Sequence, residues 1–170
     1  MKGMTNVTGE LDIKDRWNLK IIKVESHEVK SYTPIGMAYV MMRNASFESK
    51  DISLSYKYGC VNTRDPFTIE CEEDSSACIV DFPGLSLLET RMFIQECLDM
   101  GNLSYMDGGT NTTAINPGRL GDPVINYVHF PAHMYQTLHT HPSHRVGLVI
   151  RGNGKIELDN KEYYLSLIHI

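Results

Sequence analysis

The stretch Gln136-Thr-Leu-His139-Thr-His141-Pro-Ser-His144-Arg145-Val-Gly-Leu-Val-Ile150-Arg-Gly152-Asn-Gly154 decides how the chain is read. In an extended segment, residues two apart project from the same face, so His139 and His141 can bring two imidazoles to one point. Neutral imidazole is a good donor to Zn, Fe, Ni or Cu, and two of them supply half of a metal site. Pro142-Ser143 then turns the chain. Val146–Ile150 reads as a short apolar strand, and Arg151-Gly-Asn-Gly154 as a tight turn into a second strand, Lys155–Leu158. Glu162–Leu165 closes a further hairpin around Asp159-Asn160-Lys161. Five of the seven histidines fall between His129 and His144, a clustering that random scatter does not explain.

This run resembles the first motif of the cupin superfamily, in which a His-x-His pair, a glutamate and a closing glycine recur at set spacing. His139, His141 and Gly152 take those positions, and Phe130-Pro131 and Gly152-Asn-Gly154 also look like cupin sequence. The likeness covers residues 124–165. Two positions depart from it: the motif's first glycine falls on His133, and its glutamate falls on Arg145, which cannot ligate a metal. Members without that glutamate, such as the thiol dioxygenases, hold iron through three histidines, the third from a second motif.

The resemblance implies a mainly β fold of the cupin-type double-stranded β-helix (jelly roll), incomplete at its C-terminus. It implies a divalent metal, Fe(II) first, held by His139 and His141, and a metal-dependent enzyme of dioxygenase type acting on a small molecule. The catalytic residues are not identified by it. Arg145, in the glutamate's place, would face the cavity and could pair bidentately with a substrate carboxylate; a surface ion pair is its other role. Tyr127 and Tyr135 are the aromatics placed to line that cavity. The alternative is a non-catalytic ligand-binding or sensory cupin domain without metal, its histidines serving as polar lining. His144 is a weaker substitute ligand, because Pro142-Ser143 leaves its direction open. His129 and His133 read as strand or turn residues.

Upstream, β-rich segments dominate. Leu19–Glu25, Gly36–Arg43, Ile52–Tyr58, Phe67–Glu72 and Ala77–Phe82 carry β-branched or aromatic residues between turn formers. Ile52, Leu54 and Tyr56 alternate with Ser53, Ser55 and Lys57, which predicts one wet face. One α-helix is expected over Leu87–Met100. Ser86-Leu-Leu-Glu89 fits a capping box, Leu87, Leu88, Ile94, Cys97 and Leu98 recur at helical spacing, and Gly101 supplies a stop. The chain thus divides into a β-rich region with its helix (1–101), a Gly/Asn/Thr/Pro-rich loop (102–123) and the cupin segment (124–165).

The chain has 170 residues, 42% of them hydrophobic, enough for an ordinary core. No apolar run is long enough to span a membrane, and the polar start lacks a secretory signal. A cytoplasmic protein with reduced thiols at Cys60, Cys71, Cys78 and Cys97 is the expectation. Net charge is −5 without a basic stripe, so no nucleic-acid partner is expected and a small molecule is favoured. A homodimer is left open. Leu165–Ile170 resembles the translation of a sequencing-library adaptor, so 166–170 reads as a non-native tail. The natural chain is expected to continue and to supply the missing ligand.

Overall fold

The computed structural model describes residues 7–15, 18–55, 57–85, 91–95 and 101–165. Among these the regular elements are β-strands, apart from a single 3-10 turn at Met106–Gly108. None is a helix long and apolar enough to cross a membrane. One antiparallel sheet contains β1 (Glu10–Ile13), β2 (Leu19–Val24), β3 (Val29–Tyr32), β4 (Met37–Ser49), β5 (Ser53–Ser55), β6 (Tyr58–Thr63), β7 (Phe67–Phe82) and β8 (Arg91–Gln95). A smaller sheet joins β9 (Leu103–Ser104), β10 (Thr110–Ile115) and β11 (Ile125–His129), and β12 (Gly154–Leu158) pairs with β13 (Lys161–Leu165).

The spine of the large sheet is the pairing of β7 with β4. On its other side β7 pairs with β2 along its later half and with β3 along its earlier half. The spine is broken between Arg43↔Ser76 and Ala45↔Cys71, where β4 contributes the single residue Asn44 and β7 contributes 72–75. Asn44 and Asp74 both take left-handed backbone there (φ 51° and 52°), which short polar side chains tolerate. The irregularity is held by side chains. Arg43 Nη2 donates to Asp74 Oδ1 at 3.0 Å, Asn44 Nδ2 donates to the Asp74 carbonyl at 2.9 Å, and Ser26 Oγ donates to the Ser75 carbonyl at 2.9 Å.

One extra residue in a strand exchanges its faces, and β4 shows this. Ala38, Val40 and Met42 before the bulge share a buried cluster with Ala45 and Phe47 after it. Ile22, Val24, Val61, Phe67, Ile69, Ala77 and Ile79 belong to the same cluster. The other described elements with buried apolar residues pack on the opposite face. Ile115 and Ile125 cover Met37 and Tyr39, while Val146 and Leu148 lie against Ile21, Cys78 and Val80. Among the described residues, what covers the inner cluster is therefore the sheet itself, bent at the bulge. The sheet remains open, with β1 and β8 at the ends of its strand order.

The strands expected at Leu19–Glu25 and Gly36–Arg43 are β2 and the start of β4, and Phe67–Glu72 and Ala77–Phe82 are the two halves of β7. In β5, Leu54 is dry between wet Ser53 and Ser55, as the alternation predicts. The hairpin around Asp159-Asn160 is present, both residues at positive φ (50° and 60°), the geometry of a two-residue turn matched to strand twist.

Three expectations fail. The helix over 87–100 is replaced at Arg91–Gln95 by β8, paired with β6 from Asn62↔Arg91 to Tyr58↔Gln95. The edge of β6 offers those residues a ladder of partners, and that long-range pairing overrides local helical periodicity. Ser86 and the rest of 86–90 and 96–100 lie outside the described residues. Val146–Ile150 is not a strand. Its Val146 and Leu148 are drawn onto the face of β2 and β7, and β2 already has a neighbour on each side, so no edge is free to pair. Nor is the stretch 102–123 structureless, since it contains β9, the 3-10 turn and β10.

Cys60, Cys71 and Cys78 are free thiols. Burial pushes the Cys78 thiol up to about 12, and burial likewise raises Cys71. Iodoacetamide at pH 8 should therefore leave both unmodified in the native chain and modify both in urea, as read by mass spectrometry. The unfolded thiols ionise first, so their stabilisation is complete below pH 9 and declines as pH rises toward 12. Urea midpoints should fall across that window. A flat midpoint, or rapid native labelling of Cys78, would contradict the burial.

Candidate functional site

Residues 130–153 connect β11 to β12 without a ladder of their own, so side chains and the surface beneath set their path. Three anchors hold them. Asp107, at positive φ (55°) in the 3-10 turn, accepts the backbone N–H and the hydroxyl of Thr137, each at 2.8 Å. The backbone bond, then the hydroxyl bond, hold the Asp107 carboxyl below the usual carboxylate range, and nearby His139 adds to this. Further on, His144 Nε2 lies 2.9 Å from Asp15 Oδ2 in the β1–β2 connection. Val146 and Leu148 then seat the chain on the large sheet.

Between the anchors runs a hydrogen-bonded series. His139 Nδ1 is 2.7 Å from the Thr137 carbonyl, His139 Nε2 is 3.2 Å from His141 Nε2, and His141 Nδ1 is 3.2 Å from Arg145 Nη2. The chemistry at its two ends fixes the protons. A carbonyl only accepts, so His139 carries its proton on Nδ1; a guanidinium only donates, so His141 Nδ1 is the acceptor. His141 Nε2–H therefore donates to His139 Nε2. One proton on each ring completes the series. The rings meet edge to face, centroids 4.8 Å apart. His141 is held below the ordinary histidine value first by partial loss of water around a largely exposed ring, then by the charges of Arg145 and His139. A second proton on His141 would sit on Nδ1 and break the series at the Arg145 contact.

The nitrogens fit half of a metal site. Two imidazole nitrogens about 2.0–2.1 Å from a tetrahedral ion lie about 3.3 Å apart, and the Nε2 pair spans 3.2 Å. His139 already has the arrangement of a ligand, its Nδ1 donating to a carbonyl and its unprotonated Nε2 accepting the His141 N–H, whose place a metal would take. His141 does not, because its Nε2 carries the proton. Among the described residues no group of three His, Cys, Asp or Glu side chains comes together to hold an ion, so a third ligand does not accompany the pair.

The other residues singled out by sequence lie apart or play other parts. His144 faces Asp15 and does not join the imidazole pair. His129 is in β11 and His133 sits in a turn at φ 62°, as expected of them. Arg145 contacts His141, its own motif neighbour. Tyr127 is half-buried on β11, opposite Thr112, and Tyr135 is 73% exposed. Both imidazoles of the pair are exposed. Two open clefts lie on β1–β3 and around the β3–β4 and β4–β5 turns, and neither is lined by a histidine.

Sequence reasoning missed Asp107 and Thr137, which aim His139. Asp107-Gly108-Gly109 reads as a turn, but nothing in its spacing shows that its carboxylate reaches a residue thirty positions on. Compared with known proteins, the chain matches no family model, no curated protein and no solved structure.

Proposed function

We propose that the chain is a cupin-type domain of the jelly-roll class in which His139 and His141 hold a divalent metal, Fe(II) first. On this reading it acts on a small molecule as a metal-dependent enzyme of dioxygenase type. The observation that carries the reading is the 3.2 Å approach of the two Nε2 atoms, on a segment anchored at both ends. A metal held there supplies open coordination positions for a small molecule. The chain's own residues orient the ligands: Asp107 fixes Thr137, and the Thr137 carbonyl keeps the His139 proton on Nδ1. Arg145 is exposed beside the pair, where its guanidinium suits an anionic group on the bound molecule.

A second reading follows from the exposure of both rings and the lack of a third ligand among the described residues. It is a binding or sensory domain that uses the same histidines as polar contacts without metal. Elemental analysis after loading with Fe(II) under anaerobic conditions separates the two. The metal reading expects near-stoichiometric iron in the wild type and its loss in His139→Ala/His141→Ala. Equal iron in both proteins, or none in the wild type, rejects it.

Positioning is testable separately. Thr137→Val keeps the backbone bond to Asp107 and removes the hydroxyl bond, so metal affinity should fall several-fold while the fold is retained. Unchanged affinity in a metal titration would mean that the hydroxyl does not aim His139.

A further inference from the structure

We infer that Arg145 is a lock on the imidazole pair, and that a divalent metal and a small carboxylate bind cooperatively because the carboxylate releases that lock. The inference rests on the metal reading above and concerns how that site is regulated. Its basis is the asymmetry between the rings. His139 is set to ligate, since Nδ1–H is on the Thr137 carbonyl and Nε2 keeps its lone pair, which accepts the His141 N–H. His141 is set against ligation, because Arg145 Nη2 occupies its Nδ1 at 3.2 Å and forces the proton onto Nε2, the atom that faces His139.

For both Nε2 atoms to bind one ion, the His141 proton must pass from Nε2 to Nδ1 through solvent. No proton is gained or lost overall, but Nδ1–H would then point at a guanidinium N–H. Two donors cannot share that contact, so Arg145 has to withdraw. Something must receive it. Among the described residues no carboxylate pairs with Arg145, and its side chain is exposed, so its remaining donors can take up an anion from solution. A planar carboxylate matches two parallel N–H groups of the guanidinium. Once the guanidinium is drawn off, His141 is free to take the ligating tautomer. By linkage, metal binding must raise carboxylate affinity by the same factor.

The test uses Zn²⁺ as the probe metal and succinate as the probe carboxylate, on the full chain and on Arg145→Met, which keeps the aliphatic stem. Arg145→Met should bind Zn²⁺ about tenfold more tightly or better, since one hydrogen bond from a charged donor no longer opposes the change. Succinate should tighten Zn²⁺ binding in the wild type and leave Arg145→Met unaffected. In metal-free protein, long-range ¹H–¹⁵N spectra should show the Nε2–H tautomer at His141, and Arg145→Met should shift it toward a mixture. Equal or weaker Zn²⁺ binding by Arg145→Met, with His139→Ala/His141→Ala still abolishing binding, overturns the lock and leaves the metal reading standing. No Zn²⁺ binding by either protein overturns both. An Nδ1–H tautomer at wild-type His141 overturns the lock without reference to metal.

Discussion

Asp81→Ala is expected to lower stability by on the order of 2–4 kcal/mol, because it removes one buried acceptor from three donors at once, one of them buried and two part-buried. Asp81 lies near the end of β7 and is fully buried. Its carboxylate accepts from the Tyr32 hydroxyl at 2.8 Å, the Ile35 N–H at 2.7 Å and the Gly36 N–H at 3.2 Å. These bonds tie the end of β3, the turn after it and the entry to β4 against β7. The approach is so close that a Cβ on Gly36 would stand 2.0 Å from the Phe82 carbonyl oxygen, which only glycine permits. Losing the carboxylate leaves the buried Gly36 N–H and the part-buried Tyr32 hydroxyl and Ile35 N–H without their acceptor. For a chain of this size the melting temperature should fall by roughly 4–16 °C. Asp81→Asn keeps one acceptor oxygen and should cost less. Tyr32→Phe combined with Asp81→Ala should cost less than the sum of the single changes, because one shared bond is counted twice. A loss below about 1 kcal/mol for Asp81→Ala would show that water reaches these donors.

Phe47→Ala should cost about 3–5 kcal/mol, for an unrelated reason. Phe47 follows the bulge in β4 and is 1% exposed. Its ring stacks on Phe67 at 5.0 Å between centroids, and Phe67 meets Tyr32 at 5.8 Å. Truncation opens a cavity where the bent sheet packs against its own inner face, and the surrounding strands are held by ladders on both sides, so little collapse can fill it. Leu120, fully exposed in the β10–β11 connection, is the contrast: Leu120→Ala should change stability by less than about 0.5 kcal/mol. Urea unfolding of both variants decides the matter. Comparable losses would mean that Phe47 is not in a packed interior.

Much of the strand content was legible because it is local. Alternation through Ser53, Leu54 and Ser55, and the apolar residues of β2, β4 and β7, state which residues prefer a pleated, half-buried surface. The Asp159-Asn160 turn was legible because its two residues tolerate positive φ. The segment around Arg91–Gln95 misled for the opposite reason. Its helical spacing is a local preference, and the partner that overrides it, β6, lies some thirty residues earlier. Val146–Ile150 misled in another way, since an apolar run can be buried beneath a face as well as at an edge. That the two halves Phe67–Glu72 and Ala77–Phe82 form one strand could not be read from the turn-like residues between them. The interruption is absorbed by a bulge whose partners are Arg43 and Asn44 of β4 and Ser26 of the β2–β3 turn.

At the site, the spacing of His139 and His141 was sufficient to bring their imidazoles together, because residues two apart in an extended chain share a side. The sequence by itself determined that pairing, the β character of the chain and the identity of Arg145 as a residue that cannot ligate. Only the tertiary structure decided how the sheet bends, which residues cover its outer face and which nitrogen of each imidazole carries its proton. The physical reason is the range of the forces involved. Backbone preference and side-chain direction act over a few residues, whereas Asp107 meeting Thr137, Asp15 meeting His144, and Val146 and Leu148 meeting the face of β2 and β7 require distant segments to arrive at one place. Their hydrogen bonds and burial then select one tautomer and one path from the many that the local sequence permits.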